Sequence, residues 1–492
     1  MQSYLLGIDI GTSACKVALF HANGEVLAQA TKPYPVIYPQ DGWAEQDPDA
    51  WWNAICEAIK ETLAISQIDP SEIAGIGVDG QSWSAIAIDA DGNVLTNTPI
   101  WTDTRAQRIC DEMSQQISEK ELFELSGNAM RPGYTLPKVL WYKEQLPAVY
   151  EKASSILQSN GYIVYRLTGA LSQDKSQGYG WNCYNMRTGE WDYEMADRLG
   201  IRRELLPPIV ACDAIVGGVT TQAAKQTGLL EGTPVVAGGL DAACGTLGAG
   251  VVKAGQTQEQ GGQAGGMSVC IDQYVADERL IMGAHVVPDC WLLQGGTTGG
   301  GGALKWLKEQ LFPELSFAEM SELAETVEPG CNGVIFLPYM AGERSPIWNP
   351  AACGVFFGLS FAKTRAHFIR AVMEGVAYSL RHNIECAKEA GAAPDVLRSM
   401  GGAANSLVWT QIKSDVTGCT IEVPASDTAS TWGAALLAAV ATGLYANYEE
   451  ATEKTIKTTR THVPNPAVAS VYDAGYQKYI ELYTRLVPMM EY

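Results

Sequence analysis

Residues 5–30 read LLGIDIGTSACKVALFHANGEVLAQA, and this run decides the fold. The largely apolar residues 5–10 predict a strand, Gly11-Thr12-Ser13 a turn, and Lys16-Val17-Ala18-Leu19-Phe20 a second strand. Asn23-Gly24 is a tight-turn dipeptide, and a third strand is predicted over residues 25–30. Three strands with no helix between them form a β-meander. A Rossmann unit needs a helix directly after its first Gly-rich turn, so that fold is excluded.

Working outward, Asp47-Pro48 predicts a helix start, with Asp as the capping acceptor and Pro in the first turn. Trp52, Ile55, Cys56, Ile59 and Leu63 keep helical spacing on its buried face. A strand over residues 73–78 ends in Asp79-Gly80-Gln81, and residues 234–239 predict another buried strand that stops at Leu240-Asp241. Residues 242–250 are rich in small side chains and are predicted helical. A second meander is predicted from Gln256, with Gly261-Gly262-Gln263-Ala264-Gly265-Gly266 as its turn, and a long helix covers 364–390. Residues 159–191 are aromatic and polar, as the wall of a cleft would be. At 492 residues the chain is too long for one ordinary core. Two domains are expected, 1–250 and 251–492, each opening with a Gly-rich hairpin, as a duplicated α/β unit would.

Thirty-four Lys and Arg against 55 Asp and Glu give a net charge of -21. Such a surface repels nucleic acid and anionic membranes, so any phosphate must be bound locally. The 12 Cys contain no C-x-x-C pair, which excludes a zinc ribbon or thioredoxin motif and is consistent with free thiols in a reducing cytoplasm. The N-terminus lacks the basic stretch of a secretion signal, and residues 432–445 are too short to span a bilayer. Cytoplasmic location is therefore expected. The five His are dispersed without metal-ligand spacing, and His382 is expected on a helix surface.

Several residues carry the marks of chemistry. Asp9 stands before Gly11-Thr12-Ser13, where backbone amides and hydroxyls suit phosphate, a carboxylate can hold Mg²⁺ through water, and Lys16 is in reach. The same residues also make a plain hairpin with a capping Asp. Asp241 follows a buried strand, the place where α/β folds bind ligands, and suits a general base toward a hydroxyl; a helix cap is the alternative. Gly401-Gly402-Ala403-Ala404-Asn405, between a strand and a helix, lets a flat ring lie on the backbone or forms a simple tight turn. The run of residues 295–302, six Gly in eight, is entropically costly and points to close approach of a ligand or a moving backbone. Trp101, Asp103 and Arg105 form a patch that suits either a polyol or a solvated salt bridge.

Together these segments resemble the FGGY carbohydrate kinases, and their xylulokinase branch most closely, from about Tyr4 to the C-terminal region. Gly133-Tyr134-Thr135-Leu136-Pro137-Lys138-Val139-Leu140-Trp141 is similar to the first family signature, with Tyr142 in place of an aliphatic residue. Gly354-Val355-Phe356-Phe357-Gly358-Leu359, then His367-Phe368 and Ala371-Val372-Met373-Glu374, fits the second. Gly342-Glu343-Arg344-Ser345-Pro346 and Arg166-Leu167-Thr168-Gly169 are also typical. The resemblance implies two ribonuclease-H-like domains of the actin/hexokinase superfamily, with sugar and ATP meeting in an inter-domain cleft. It implies Asp241 as catalytic base and Asp9 as the Mg²⁺ anchor. Gln81, Ser82, Trp83, Asp103 and Arg105 would stand on the sugar side. Gly11, Thr12, Ser13, Lys16, Gly262, Gln263, Gly301, Gly302, Gly401, Gly402, Ala403 and Asn405 would stand on the nucleotide side.

The implied reaction is ATP-dependent phosphorylation of a ketopentose, D-xylulose to D-xylulose 5-phosphate, by a homodimeric enzyme. Another sugar, a polyol or a sugar acid, such as ribulose or gluconate, is the alternative. An actin-like ATPase with no metabolic role is the reading from another class. Three departures stand out. Ser82-Trp83 replaces the Met-His usual after Gly80-Gln81, Gly262-Gln263-Ala264-Gly265 replaces Gly-Thr-Ser-Gly, and Asn160 precedes Gly161-Tyr162 where many relatives carry Asp.

Overall fold

The computed structural model of the protein describes residues 4–425 and 428–490. The predicted meander forms as Tyr4–Ile10, Ala14–His21 and Val26–Pro33. These strands lie at one side of a sheet whose order continues from Tyr4–Ile10 through Ile73–Gly80 and Pro234–Val236 to Ile215–Gly218. Tyr4–Ile10 runs parallel to Ile73–Gly80, with Asp9 beside Asp79 in register. Because side chains alternate across a sheet, Leu6, Ile8 and Ile10 join the core built with Trp51, Ile55 and Ile59 of the helix Pro48–Ser66. Asp47 caps that helix by accepting from the Asp49 N–H at 2.9 Å.

Gly7 faces the other way, toward the helix Ala429–Ala441. A Cβ at Gly7 would stand 2.1 Å from the Thr431 carbonyl oxygen, and one at Gly77 would stand 1.8 Å from that of Ala434. Only glycine lets the helix lie directly on the strands. This helix contains most of the apolar stretch 432–445, so that stretch is a core helix. Among the described residues no helix is long and apolar enough to cross a membrane.

The second sheet repeats the plan. Gln256–Gly261 pairs antiparallel with Gly265–Ile271 and parallel with Val396–Met400, and Thr420–Pro424 and Thr458–His462 follow. Its core includes the long helix Arg365–Glu389 and the helix Leu407–Thr417. By packing, the chain forms two units. One holds Met1–Val252, Gly283–Trp291 and Thr428–Ile456, and the other holds Lys253–Met282, Leu292–Asp427 and Lys457–Tyr492. The chain-order division 1–250 and 251–492 thus differs from the packing by the later segments that rejoin the first unit.

Two local expectations are corrected. The strand predicted over 234–239 is broken into Pro234–Val236 and Gly239–Leu240 by Gly238, at φ +74, where a Cβ would lie 1.7 Å from the Val78 carbonyl oxygen. His382 is not a surface residue: it is partly buried, and desolvation lowers its imidazole to about 4.

Candidate active site

Three carboxylates gather at the C-terminal ends of adjacent parallel strands in the first unit. Asp9 is the penultimate residue of one strand, Asp79 lies beside it, and Gly239–Leu240 pairs with Asp79 and Gly80 so that Asp241 follows immediately. Asp241 is the first residue of the helix Asp241–Gly248, and its Oδ1 accepts the Ala242 N–H at 2.6 Å. Burial pushes its carboxyl up to about 7, with the charge of Asp9 adding to the effect. A carboxylate poised near neutrality suits proton acceptance.

Asp79 is the member that sequence reasoning passed over, although it satisfies the same test as Asp241: an Asp ending a buried strand. It is fully buried, and no donor among the described residues reaches either oxygen. Burial raises its carboxyl, and the neighbouring Asp9 raises it further. The two carboxyls can bond only through a shared proton. Asp9 is itself raised by burial, an effect opposed by the contact with Asp79 and by Lys16, which lies opposite it in the hairpin.

A stability prediction follows. The folded carboxyl of Asp79 ionises above its unfolded value, so folding holds a proton that the unfolded chain releases above about pH 4. Stability is therefore lost as pH rises from there, and Asn, which can donate to Asp9, removes that penalty. Without nucleotide or Mg²⁺, Asp79→Asn should melt a few degrees above wild type at pH 8, with the gain vanishing near pH 4. Equal melting temperatures at pH 8 would contradict this reading of Asp79.

The turn after Asp9 is pinned from within. Tyr34 Oη donates to the Gly11 carbonyl at 2.6 Å, Gln46 Nε2 to the Thr12 carbonyl at 2.8 Å, and Trp101 Nε1 to Thr12 Oγ1 at 3.0 Å. Gln81 Nε2 in turn donates to Gln46 Oε1 at 2.8 Å. Its carbonyls thus held, the turn leaves the Thr12 and Ser13 N–H groups without an acceptor among the described residues. Free amides of this kind are what a phosphate oxygen needs.

Trp83 sits at φ +55, a strained setting for a bulky residue. Its N–H donates to Gln177 Oε1 at 3.0 Å, and its carbonyl accepts from Lys138 Nζ at 2.9 Å. Lys138 is fully buried, also donates to the Gly133 carbonyl, and is pushed down to about 7 by desolvation. The Trp83 ring meets Tyr134 at 4.5 Å and Tyr179 at 5.6 Å between centroids, and its buried indole N–H has no acceptor among the described residues. Ser82 beside it is partly buried.

Asp103 and Arg105 do come together, as a buried pair. Arg105 Nε donates to Asp103 at 2.9 Å and its Nη2 to Glu45 at 2.9 Å, while the guanidinium lies 3.9 Å above the Trp43 ring. Asp103 Oδ2 also accepts the Ala44 N–H. The pair is buried rather than solvated, and it braces the segment around Trp43 to Glu45.

The remaining predicted residues belong to the second unit. A cavity of about 610 Å³ is lined there by Gly262, Gln263, Gly301, Gly402, Ala403 and Asn405, with Leu304, Phe317 and Trp409 among its apolar walls. That volume and composition suit a small-molecule ligand. Gly302 donates to the Gln263 carbonyl at 2.9 Å, and Gly401, at φ +89, packs against Gly261. The N–H groups of residues 262–264 and of Gly300 have no acceptor among the described residues. These two turns press together: a Cβ at Gly300 would lie 2.3 Å from the Gly265 nitrogen.

Comparison with known proteins places this geometry in a family. The model described as FGGY family of carbohydrate kinases, N-terminal domain, matches residues 4–248, and its C-terminal counterpart matches residues 273–442. The chain is 33% identical to the xylulose kinase of Bacillus subtilis (strain 168) over 98% of this chain and 97% of that protein. It is 30% identical to the gluconokinase of the same strain, over 96% and 94%. The crystal structure of xylulose kinase from Rhodospirillum rubrum superposes with a TM-score of 0.93 at 30% identity, over 99% of this chain and all of that one.

Proposed function

This chain belongs to the FGGY family of carbohydrate kinases, and from that premise we propose that it transfers the γ-phosphoryl group of ATP to the terminal hydroxyl of a ketopentose, D-xylulose. The observation that carries the reading is Asp241, a partly buried carboxylate held near neutrality at the end of a parallel strand. In this reading the sugar hydroxyl donates its proton to Asp241 as its oxygen bonds to the γ-phosphorus and the bond to the ADP oxygen breaks. The Thr12 and Ser13 amides receive phosphate oxygens in the first unit. The second unit's cavity takes the nucleotide, its Gly-rich turns meeting the phosphates.

Mg²⁺ fits as an ion that keeps most of its water. Among the described residues no group of three or more His, Cys, Asp or Glu is arranged to hold a metal, so a full protein cage is absent. Mg²⁺ bound to phosphates needs only one or two carboxylates, and partly buried Asp9 supplies one. When bound, the ion neutralises phosphate charge. Asp9 holds its hydration shell.

Substrate choice rests on Ser82 and Trp83. The Trp83 indole N–H, without an acceptor among the described residues, and the aromatic wall of Tyr134 and Tyr179 support a sugar whose C–H face stacks there and whose hydroxyl accepts from the indole. Ser82→Met with Trp83→His places an imidazole at a left-handed position that His tolerates better than Trp. The double variant should change the ratio of kcat/KM between D-xylulose and gluconate by about tenfold or more. An unchanged ratio would put both residues outside the sugar site.

The test of the function is a coupled ADP-release assay over D-xylulose, L-xylulose, D-ribulose, gluconate and glycerol. D-xylulose should give the highest kcat/KM. Preference for gluconate, the activity named for one 30%-identical relative, would move the substrate to a sugar acid. ATP turnover indifferent to every sugar would favour a non-metabolic ATPase.

A further inference from the structure

The Gly-rich run of residues 295–302 is gripped from a segment more than forty residues away. Glu343, only 5% exposed, accepts from Thr297 Oγ1 at 2.5 Å and from the Thr298 N–H at 2.9 Å, while the Arg344 N–H closes on the same carboxylate at 2.7 Å. Thr298 Oγ1 donates to the Gly342 carbonyl at 2.6 Å, and Ser345 Oγ accepts the Gly296 N–H at 2.6 Å. Residues 342–345 therefore bind three consecutive residues, 296–298, by side chain and backbone together.

The far end of the same run is equally confined. Gly301 donates to the Gly262 carbonyl at 2.8 Å, and a Cβ at Gly299 would stand 1.7 Å from the Pro338 carbonyl oxygen. The tip of residues 262–264, with its unpartnered amides, rests on this turn. A shift at Thr297 and Thr298 must travel into the tip, because packed backbones leave no slack between them.

We propose that Glu343 is a positioning residue for phosphate binding: its carboxylate fixes the 296–302 turn and, through it, the amides of residues 262–264 and Gly300 that receive the nucleotide's phosphates. The proposal rests on the reading of the second unit's cavity as the nucleotide site. Glu343 is not among the cavity's lining residues, so its effect is indirect and specific to the phosphate end. The nucleoside end, walled by Phe317 and Trp409, does not depend on it.

The experiment compares ADP and adenosine binding to the full-length protein by calorimetry. Glu343→Ala should weaken ADP by at least about tenfold, the scale of one lost charge-assisted contact, while adenosine affinity stays within about twofold. Glu343→Gln should recover most of the ADP affinity, since its amide oxygen still accepts the two N–H groups and its NH₂ can face the Thr297 hydroxyl. Thr297→Val, which removes one hydroxyl at constant shape, should weaken ADP alone by a smaller factor and serves if Glu343→Ala does not fold. ADP binding at wild-type strength in folded Glu343→Ala, or in Thr297→Val, overturns the proposal. Equal loss of ADP and adenosine also overturns it, because the effect would then be general. Wild-type protein that binds neither ligand removes the nucleotide reading itself, and the role of Glu343 falls with it.

Discussion

Asp241→Asn is expected to lower turnover by at least about a hundredfold while the protein folds normally and still binds nucleotide. A sugar hydroxyl is a weak acid, and its attack on phosphorus is helped by a group that accepts its proton as the bond forms. Positioning and base catalysis together are commonly worth about two to four powers of ten. Asn preserves the size of the side chain and the acceptor used by the Ala242 N–H, so the helix start survives. What it loses is the capacity to take up a proton. The same residue sets a pH signature. Asp241 is raised to about 7, so below that pH it is increasingly protonated and cannot serve as base. kcat/KM for the sugar should therefore fall about tenfold per pH unit on the acid side of 7. A variant whose turnover stays within a few-fold of wild type would leave Asp241 as a helix-start residue only.

The second large effect is expected at Asp9. Asp9→Asn should reduce turnover by about tenfold or more at ordinary Mg²⁺, and excess Mg²⁺ should restore part of it, because a neutral amide is a poorer anchor for a hydrated cation. A side effect separates this from structural damage. Asn at position 9 no longer presents a second carboxylate to buried Asp79, so the melting temperature at neutral pH should hold or rise. Wild-type rates across the Mg²⁺ titration would remove Asp9 from the reaction.

The meander was legible because Asn23-Gly24 and the alternation around it are local signals, as was the Asp47-Pro48 helix start. Asp9 and Asp241 were legible by position, at the ends of apolar strands. Asp79 met the same criterion, but only the parallel pairing of Tyr4–Ile10 with Ile73–Gly80 reveals that it abuts Asp9. The break at Gly238 was hidden for a similar reason: the atom that its backbone packs against, the Val78 carbonyl oxygen, lies 160 residues earlier in the chain. Lys138 was visible within a family signature, yet its grip on the strained Trp83 spans 55 residues. Asp103 and Arg105 were correctly paired as neighbours, but the burial that turns them inward depends on Trp43 and Glu45. Sequence periodicity reports which face of an element is apolar. It does not report which distant carbonyl or carboxylate meets that face.

The central claim, phosphoryl transfer from ATP to a ketose hydroxyl with Asp241 as base, is tested most directly by following the reaction products. Purified protein with Mg²⁺, ATP and D-xylulose is monitored by ³¹P NMR, with Asp241→Asn alongside. Wild type should form ADP and a sugar phosphomonoester in equal amounts, with the phosphate on the terminal carbon, and the variant should form neither over the same interval. ADP with inorganic phosphate and no sugar phosphate, or a sugar phosphate formed as fast by the variant as by wild type, would contradict the account.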